Sequence, residues 1–107
     1  MMVVKEPVEI GSLLYRIEGY RDGRLLLAGT RMPIHTIAGL HLQGLSPEQM
    51  LEEFPHLDLP RIYAALTYFI ANPDLVLAEM EDDEREAERL SAEFSSPRRK
   101  SADRSSN

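Results

Sequence analysis

Gly29, Pro33, Gly44, Pro47, Pro55 and Pro73 punctuate the middle of the chain so often that only short helices fit between them. A proline inside a helix removes a backbone donor and clashes with the preceding turn. A glycine reaches the left-handed conformation that commonly ends a helix. Three segments with helical apolar periodicity lie between these marks. After Gly29-Thr30-Arg31-Met32-Pro33, residues Ile34, Ile37, Ala38 and Leu40 or His41 fall on one face, and Gly44 stops the first helix. Ser46-Pro47-Glu48-Gln49 is a capping-box signature that starts a second helix running to about Phe54. Pro55 then breaks the chain and Asp58 caps a third helix, expected over Leu59 to Ala71.

In the third helix Ile62, Leu66 and Phe69 share a face with Ala65 beside them, and these are expected in the core opposite Leu40, Met50, Leu51 and Phe54. Arg61, Tyr63, Ala64, Thr67 and Tyr68 are left for the flanks and outer face. Upstream, alternation in Leu13 to Glu18 and a second run at Arg24 to Ala28 read as strands, with Asp22-Gly23 as a turn between them. A lone two-stranded ribbon is only marginally stable, so it must pack on the helices or pair with a second copy. The pattern leaves open whether the strands pair within one chain or between two.

The chain has 107 residues, enough for one core, with hydrophobic content of 43% and charged content of 28% as in ordinary globular domains. It has no cysteine, which excludes disulfides, thiolate nucleophiles and cysteine-ligated metals. Apolar runs such as Leu25 to Ala28 and Phe69 to Ala71 are far short of the roughly 20 residues that span a bilayer, and the N-terminus carries Lys5, Glu6 and Glu9 in place of a signal-peptide core. A cytoplasmic protein without a membrane partner is expected.

The net charge of -6 disfavours a nucleic-acid binder that relies on overall charge. The charge is segregated near the end. Leu75, Leu77, Ala78 and Met80 begin a fourth helix, and Glu79 to Glu93 then contains eight acids and two arginines. Glu81 and Arg85 are at contact spacing along it. From Ser95 the chain turns basic, with Arg98, Arg99, Lys100 and Arg104 against Asp103, and its polar composition reads as disordered. The resulting division is an extension at 1–12, a hairpin plus helical domain at 13–75, an acidic helix at 76–94 and a basic tail at 95–107.

The fold class expected from the residues is mainly α: a tri-helical helix-turn-helix core, a short N-terminal β-hairpin and a C-terminal helix. The turn is Pro55-His56-Leu57. Ala28-Gly29-Thr30-Arg31-Met32-Pro33-Ile34, Gly44-Leu45-Ser46-Pro47-Glu48-Gln49-Met50, Phe54-Pro55-His56-Leu57-Asp58 and Ile62-Tyr63-Ala64-Ala65-Leu66-Thr67-Tyr68 occur in this order and spacing. Together they resemble the domain-of-unknown-function 433 family over roughly residues 13 to 75. The resemblance implies a homeodomain-like or winged-helix-like module of antitoxin type: a homodimer that binds its own operator DNA and holds a PIN-like ribonuclease toxin. The stretch before Leu13 and the acidic-then-basic extension depart from the family pattern.

On this reading helix three is the candidate recognition helix, with Arg61 as the main base or phosphate contact and Tyr63, Ala64, Thr67 and Tyr68 beside it. Arg31 is either a phosphate contact or, with Thr30, part of an architectural turn. The single cation of helix three, with Glu48, Glu52, Glu53 and Asp58 near it in sequence, leaves an interaction module without DNA binding as the alternative. Arg98, Arg99 and Lys100 are candidate partner contacts, able to neutralise a nuclease's metal-binding carboxylates. His35, His41 and His56 lack zinc-ligand spacing and are expected at the helix surface or in turns. No P-loop, dinucleotide fingerprint or nucleophile elbow is present, so no cofactor, metal or catalytic activity is expected.

Overall fold

The computed structural model describes residues 6–94. It divides into two compact units, Met1–Pro73 and Asp74–Asn107. The architecture is mainly helical, with a small antiparallel hairpin near the N-terminus.

The hairpin pairs β1 (Leu14–Tyr15) with β2 (Leu26–Leu27) in one chain, Leu14 opposite Leu27 and Tyr15 opposite Leu26. The strands are shorter than the runs Leu13 to Glu18 and Arg24 to Ala28 suggested, because Asp22-Gly23 is not a two-residue hairpin turn. Arg21, Asp22 and Gly23 have φ of 50°, 55° and 71° in succession. The left-handed turn they form is closed by Gly23 N–H donating to the Tyr20 carbonyl and Arg24 N–H to the Arg21 carbonyl, both at 2.9 Å. Arg16 Nη1 donates across the loop to the Gly23 carbonyl at 2.6 Å. A broad loop therefore replaces ladder pairs over residues 16–25.

β2 is bonded along both edges. On one side Ala28 N–H donates to the Leu13 carbonyl at 2.9 Å. On the other, Leu27 N–H donates to Met32 and Ile34 N–H to the Leu25 carbonyl, each at 2.9 Å, around an isolated bridge between Leu26 and Pro33. The reversal between these edges closes by Thr30 N–H to the Leu27 carbonyl at 3.0 Å, and Gly29 occupies the turn position that requires positive φ, here 77°.

The three helices follow the local capping chemistry. α1 (Ile34–Leu42) ends in Gly44 at φ 95°, with Gly44 N–H to the His41 carbonyl at 2.9 Å and Leu45 N–H to the Leu40 carbonyl at 3.1 Å. This double closure satisfies carbonyls that the helix end would orphan. α2 (Pro47–Glu53) carries the reciprocal box: Gln49 N–H donates to Ser46 Oγ at 3.1 Å and Ser46 N–H to Gln49 Oε1 at 2.8 Å. α3 (Leu59–Ala71) is capped by Asp58, whose carboxylate accepts from Arg61 N–H at 3.2 Å.

α3 packs against α1, α2 and both strands. Leu26, Leu27, Ile34, Ile37, Met50 and Ile62 are fully inaccessible to solvent and form the centre of the core. Of the residues expected opposite α3, Met50 is buried, while Leu40, Leu51 and Phe54 are half-buried. Ala64, expected on the outer side of α3, is buried, because the hairpin covers a flank of the helix that helix-to-helix packing alone would leave open. His35, expected at the surface, is also buried, since the start of α1 is tied to β2 through Ile34 N–H.

The second unit is the helix α4 (Pro73–Phe94), whose 22 residues extend about 33 Å. Arg85 pairs with Glu81 at 3.8 Å and with Asp82, and Arg89 pairs with Glu86 at 2.5 Å and Glu93 at 3.0 Å. These exposed pairs each contribute only about 0.3–0.5 kcal/mol, a modest reinforcement of an acidic helix. Leu75, Leu77 and Leu90 are exposed on it. No helix among the described residues is long and apolar enough to cross a membrane.

Because Ser46 makes both halves of the α2 cap, Ser46→Ala is expected to lower stability by about 1 kcal/mol and Ser46→Gly by only a few tenths. Urea unfolding of the two variants measures the difference; equal stability of Ser46→Ala and the parent would mean the box contributes nothing.

Candidate functional site

The Gly-Thr-Arg segment and the start of α3 meet at one place. Thr30 Oγ1 donates to the Leu27 carbonyl at 2.7 Å and accepts from Met32 N–H at 3.0 Å. Tyr15 Oη donates to the Thr30 carbonyl. Thr30 thus ties the reversal between β2 and the segment leading into α1, a structural use of its side chain. Arg61 completes the arrangement from α3. Its Nε donates to the Ala28 carbonyl at 2.9 Å, and its Nη1 donates to Asp58 Oδ2 at 2.7 Å in a salt bridge. A hollow of about 200 Å³ lies beside it, lined by residues that include Gly29, Thr30, His56, Leu57, Asp58 and Arg61.

The guanidinium of Arg61 is therefore a clamp between the α3 cap and a carbonyl 33 residues earlier in the chain. A planar fork serves two acceptors at once here, which an ammonium on a flexible stem does less well. To grip a base or phosphate as expected of a recognition residue, Arg61 would have to use the N–H groups that these two bonds leave over, from a side chain already held by the fold.

The other residues expected on a DNA-facing surface are dispersed. Tyr63 and Thr67 are exposed on the outer side of α3 together with Ile70. Ala64 and Tyr68, with the edge of Thr67, line a largely apolar groove of about 450 Å³ together with residues that include Leu14, Leu25 and Ala71. Arg31 lies away from α3's outer face in a different cluster, its guanidinium carbon 5.2 Å from the centroid of the Tyr20 ring. Arg21 lies 5.7 Å from the same centroid, with Nε 3.4 Å from the Tyr20 hydroxyl. Arg98, Arg99 and Lys100 lie outside the described residues.

The Tyr20 cluster is the feature the sequence reading passed over. Its hydrogen bond from Arg21, aided by the positive charges of Arg21 and Arg31, holds the phenol below its usual pKa of 10.0 against the opposing effect of desolvation. The signal was available in composition: Arg16, Arg21, Arg24 and Arg31 face only Glu18 and Asp22 over residues 16–31, in a chain that is otherwise acidic. His41 and His56 are exposed and sit edge-on to Phe69 and Phe54, with ring centroids 6.0 and 6.2 Å apart. Among the described residues no three His, Asp or Glu side chains gather as a metal site.

Comparison with known proteins gives three findings. The family described as a protein of unknown function, DUF433, matches residues 16–69. An uncharacterized protein of Sinorhizobium fredii, y4eO, is 41% identical over 51 residues, which are 48% of this chain and 23% of that protein. The chain thus spans about a quarter of the length of this relative. A crystal structure of a DUF433 member from Anabaena variabilis superposes with a TM-score of 0.59 over 65% of this chain and 69% of the other, at 24% identity, a likeness of fold.

Two outcomes test the site. Arg61→Ala is expected to destabilise the protein by about 1.5–3 kcal/mol, the range for hydrogen bonds to charged groups, with Arg61→Lys recovering only part of it; chemical denaturation reads both, and an Arg61→Ala variant as stable as its parent would remove the clamp. Tyr20 is expected to ionise at lower pH than free tyrosine, and Arg21→Ala to move it back up. The absorbance of the phenolate, taken as the difference from Tyr20→Phe, follows it.

Proposed function

The chain belongs to the DUF433 family, and on that premise we propose that it is a binding module and not a catalyst, an antitoxin-like homodimer that holds a PIN-like ribonuclease and contacts operator DNA. The observation that carries the partner-holding part is α4: a helix of 22 residues forming a second unit, acidic along most of its length, with Leu75, Leu77 and Leu90 exposed. An enzyme that binds RNA presents a positive surface to its substrate, and an acidic helix with interspersed leucines complements such a surface in charge and in apolar area. Inhibition on this reading is stoichiometric occlusion. Arg98, Arg99 and Lys100, following α4 in the sequence, would then meet the acidic metal-binding groups of the nuclease.

One observation favours the second reading, an interaction module that does not bind DNA. The exposed side of α3 offers Tyr63, Thr67 and Ile70, none of them cationic, and Arg61 is engaged with Asp58 and Ala28. A recognition helix without a free cation has little with which to displace the counterions of a duplex.

Co-expression with the product of the adjacent reading frame is expected to give a stable complex in which ribonuclease activity is suppressed. Glu81→Gln with Glu84→Gln in the full chain should weaken the complex about tenfold, equivalent to about 1.4 kcal/mol, and restore cutting at limiting protein. A neighbour that neither binds nor cleaves RNA would end the antitoxin reading.

A further inference from the structure

Seven arginines lie among the described residues, and four of them fall in residues 16–31. The remaining three are committed to carboxylates: Arg61 to Asp58, and Arg85 and Arg89 to the acids of α4. Arg16, Arg21 and Arg31 differ from these. All three are exposed, and none has a carboxylate partner among the described residues. Arg16 donates to a backbone carbonyl, while Arg21 and Arg31 both lie near the centre of the Tyr20 ring, at 5.7 and 5.2 Å.

The geometry points to the hairpin loop and the turn that follows β2, through Arg21 and Arg31 against Tyr20 with Arg16 in the same loop as Arg21, as the surface that engages the phosphodiester backbone of duplex DNA. A guanidinium is weakly hydrated, permanently charged and forked to match phosphate oxygens. Stacking on Tyr20 lowers the rotamer freedom of the two flanking arginines before any ligand arrives, so less entropy is lost when they bind. Glu18 and Asp22 lie in the same loop, and the four arginines of residues 16–31 outnumber them two to one. Contacts of this kind position a protein on a duplex and carry no base information, so they suit a chain whose α3 shows no free cation at its outer side.

The inference rests on the DNA-contacting part of the proposed function, and it moves the phosphate contacts from α3 to the loop. The test is fluorescence anisotropy of the full chain with a short labelled duplex of mixed sequence, titrated at several salt concentrations. Three phosphate contacts predict a slope of log affinity against log salt near about -2.7, hence a roughly fortyfold loss between 50 and 200 mM. Arg21→Gln with Arg31→Gln should reduce the slope to about -0.9, and Arg21→Lys with Arg31→Lys should restore most of it. Unchanged circular dichroism and denaturation midpoints accompany that result, since both side chains are exposed. If the parent binds and the Gln pair binds with the same slope, the loop assignment fails while DNA binding stands. If the parent does not bind at the lowest salt, both fall. Equal or tighter binding of poly-glutamate in competition would make the loop a docking surface for an acidic protein, and would likewise overturn the assignment to DNA.

Discussion

The double pairing of β2 is the constraint on which the domain is arranged. Leu26 and Leu27 are adjacent, so their side chains point to opposite faces of the strand, yet both are fully buried. This arrangement needs cover on each face and hydrogen-bond partners on each edge, because an unpaired buried amide or carbonyl is costly. β1 supplies one edge and the segment Met32–Ile34 supplies the other. The chain then passes directly from that second edge into α1, so the strand fixes where the first helix begins, and α3 packs over both strands as well as over α1 and α2. The Gly29 turn, the Thr30 side chain and the Arg61 clamp all hold the same reversal closed.

What was legible in the sequence and what was not divides along the range of the interactions. The capping box at Ser46, the Asp58 cap and the Gly44 stop are built from residues within three or four positions of each other, and α2 and α3 begin where those signals place them. The mainly helical fold with its small hairpin could be read for the same reason. The second edge of β2 was hidden, because Pro33 reads as a turn and its bridge to Leu26 depends on tertiary closure. Burial of Ala64 and His35 was hidden too, since helical periodicity says which residues share a face and is silent about how wide a strip the rest of the domain covers. The contact of Arg61 with Ala28 joins segments 33 residues apart, so an arginine at the head of a recognition-like helix carries no sequence mark of its structural task.

Charge is distributed by region in a way that net charge conceals. Arginines concentrate in the hairpin loop, acids in α4, and the exposed side of α3 carries neither in quantity. A chain of net charge -6 thus presents two surfaces of opposite sign on different elements. With a screening length of about 8 Å at the ionic strength of a cell, an approaching partner responds to the charges nearest it more than to their sum.

The left-handed run at Arg21, Asp22 and Gly23 has a consequence for what substitution could do to the loop. L-residues lose about 1–2 kcal/mol in this conformation, asparagine and aspartate least among them, and achiral glycine tolerates it best. Replacing Arg21 by glycine would thus relax the backbone and remove a guanidinium in the same step. Stabilising changes at this position run against its charge, so the loop is a point where thermal robustness and anion affinity trade off, and variants chosen only for a higher Tm would be drawn toward a neutral loop.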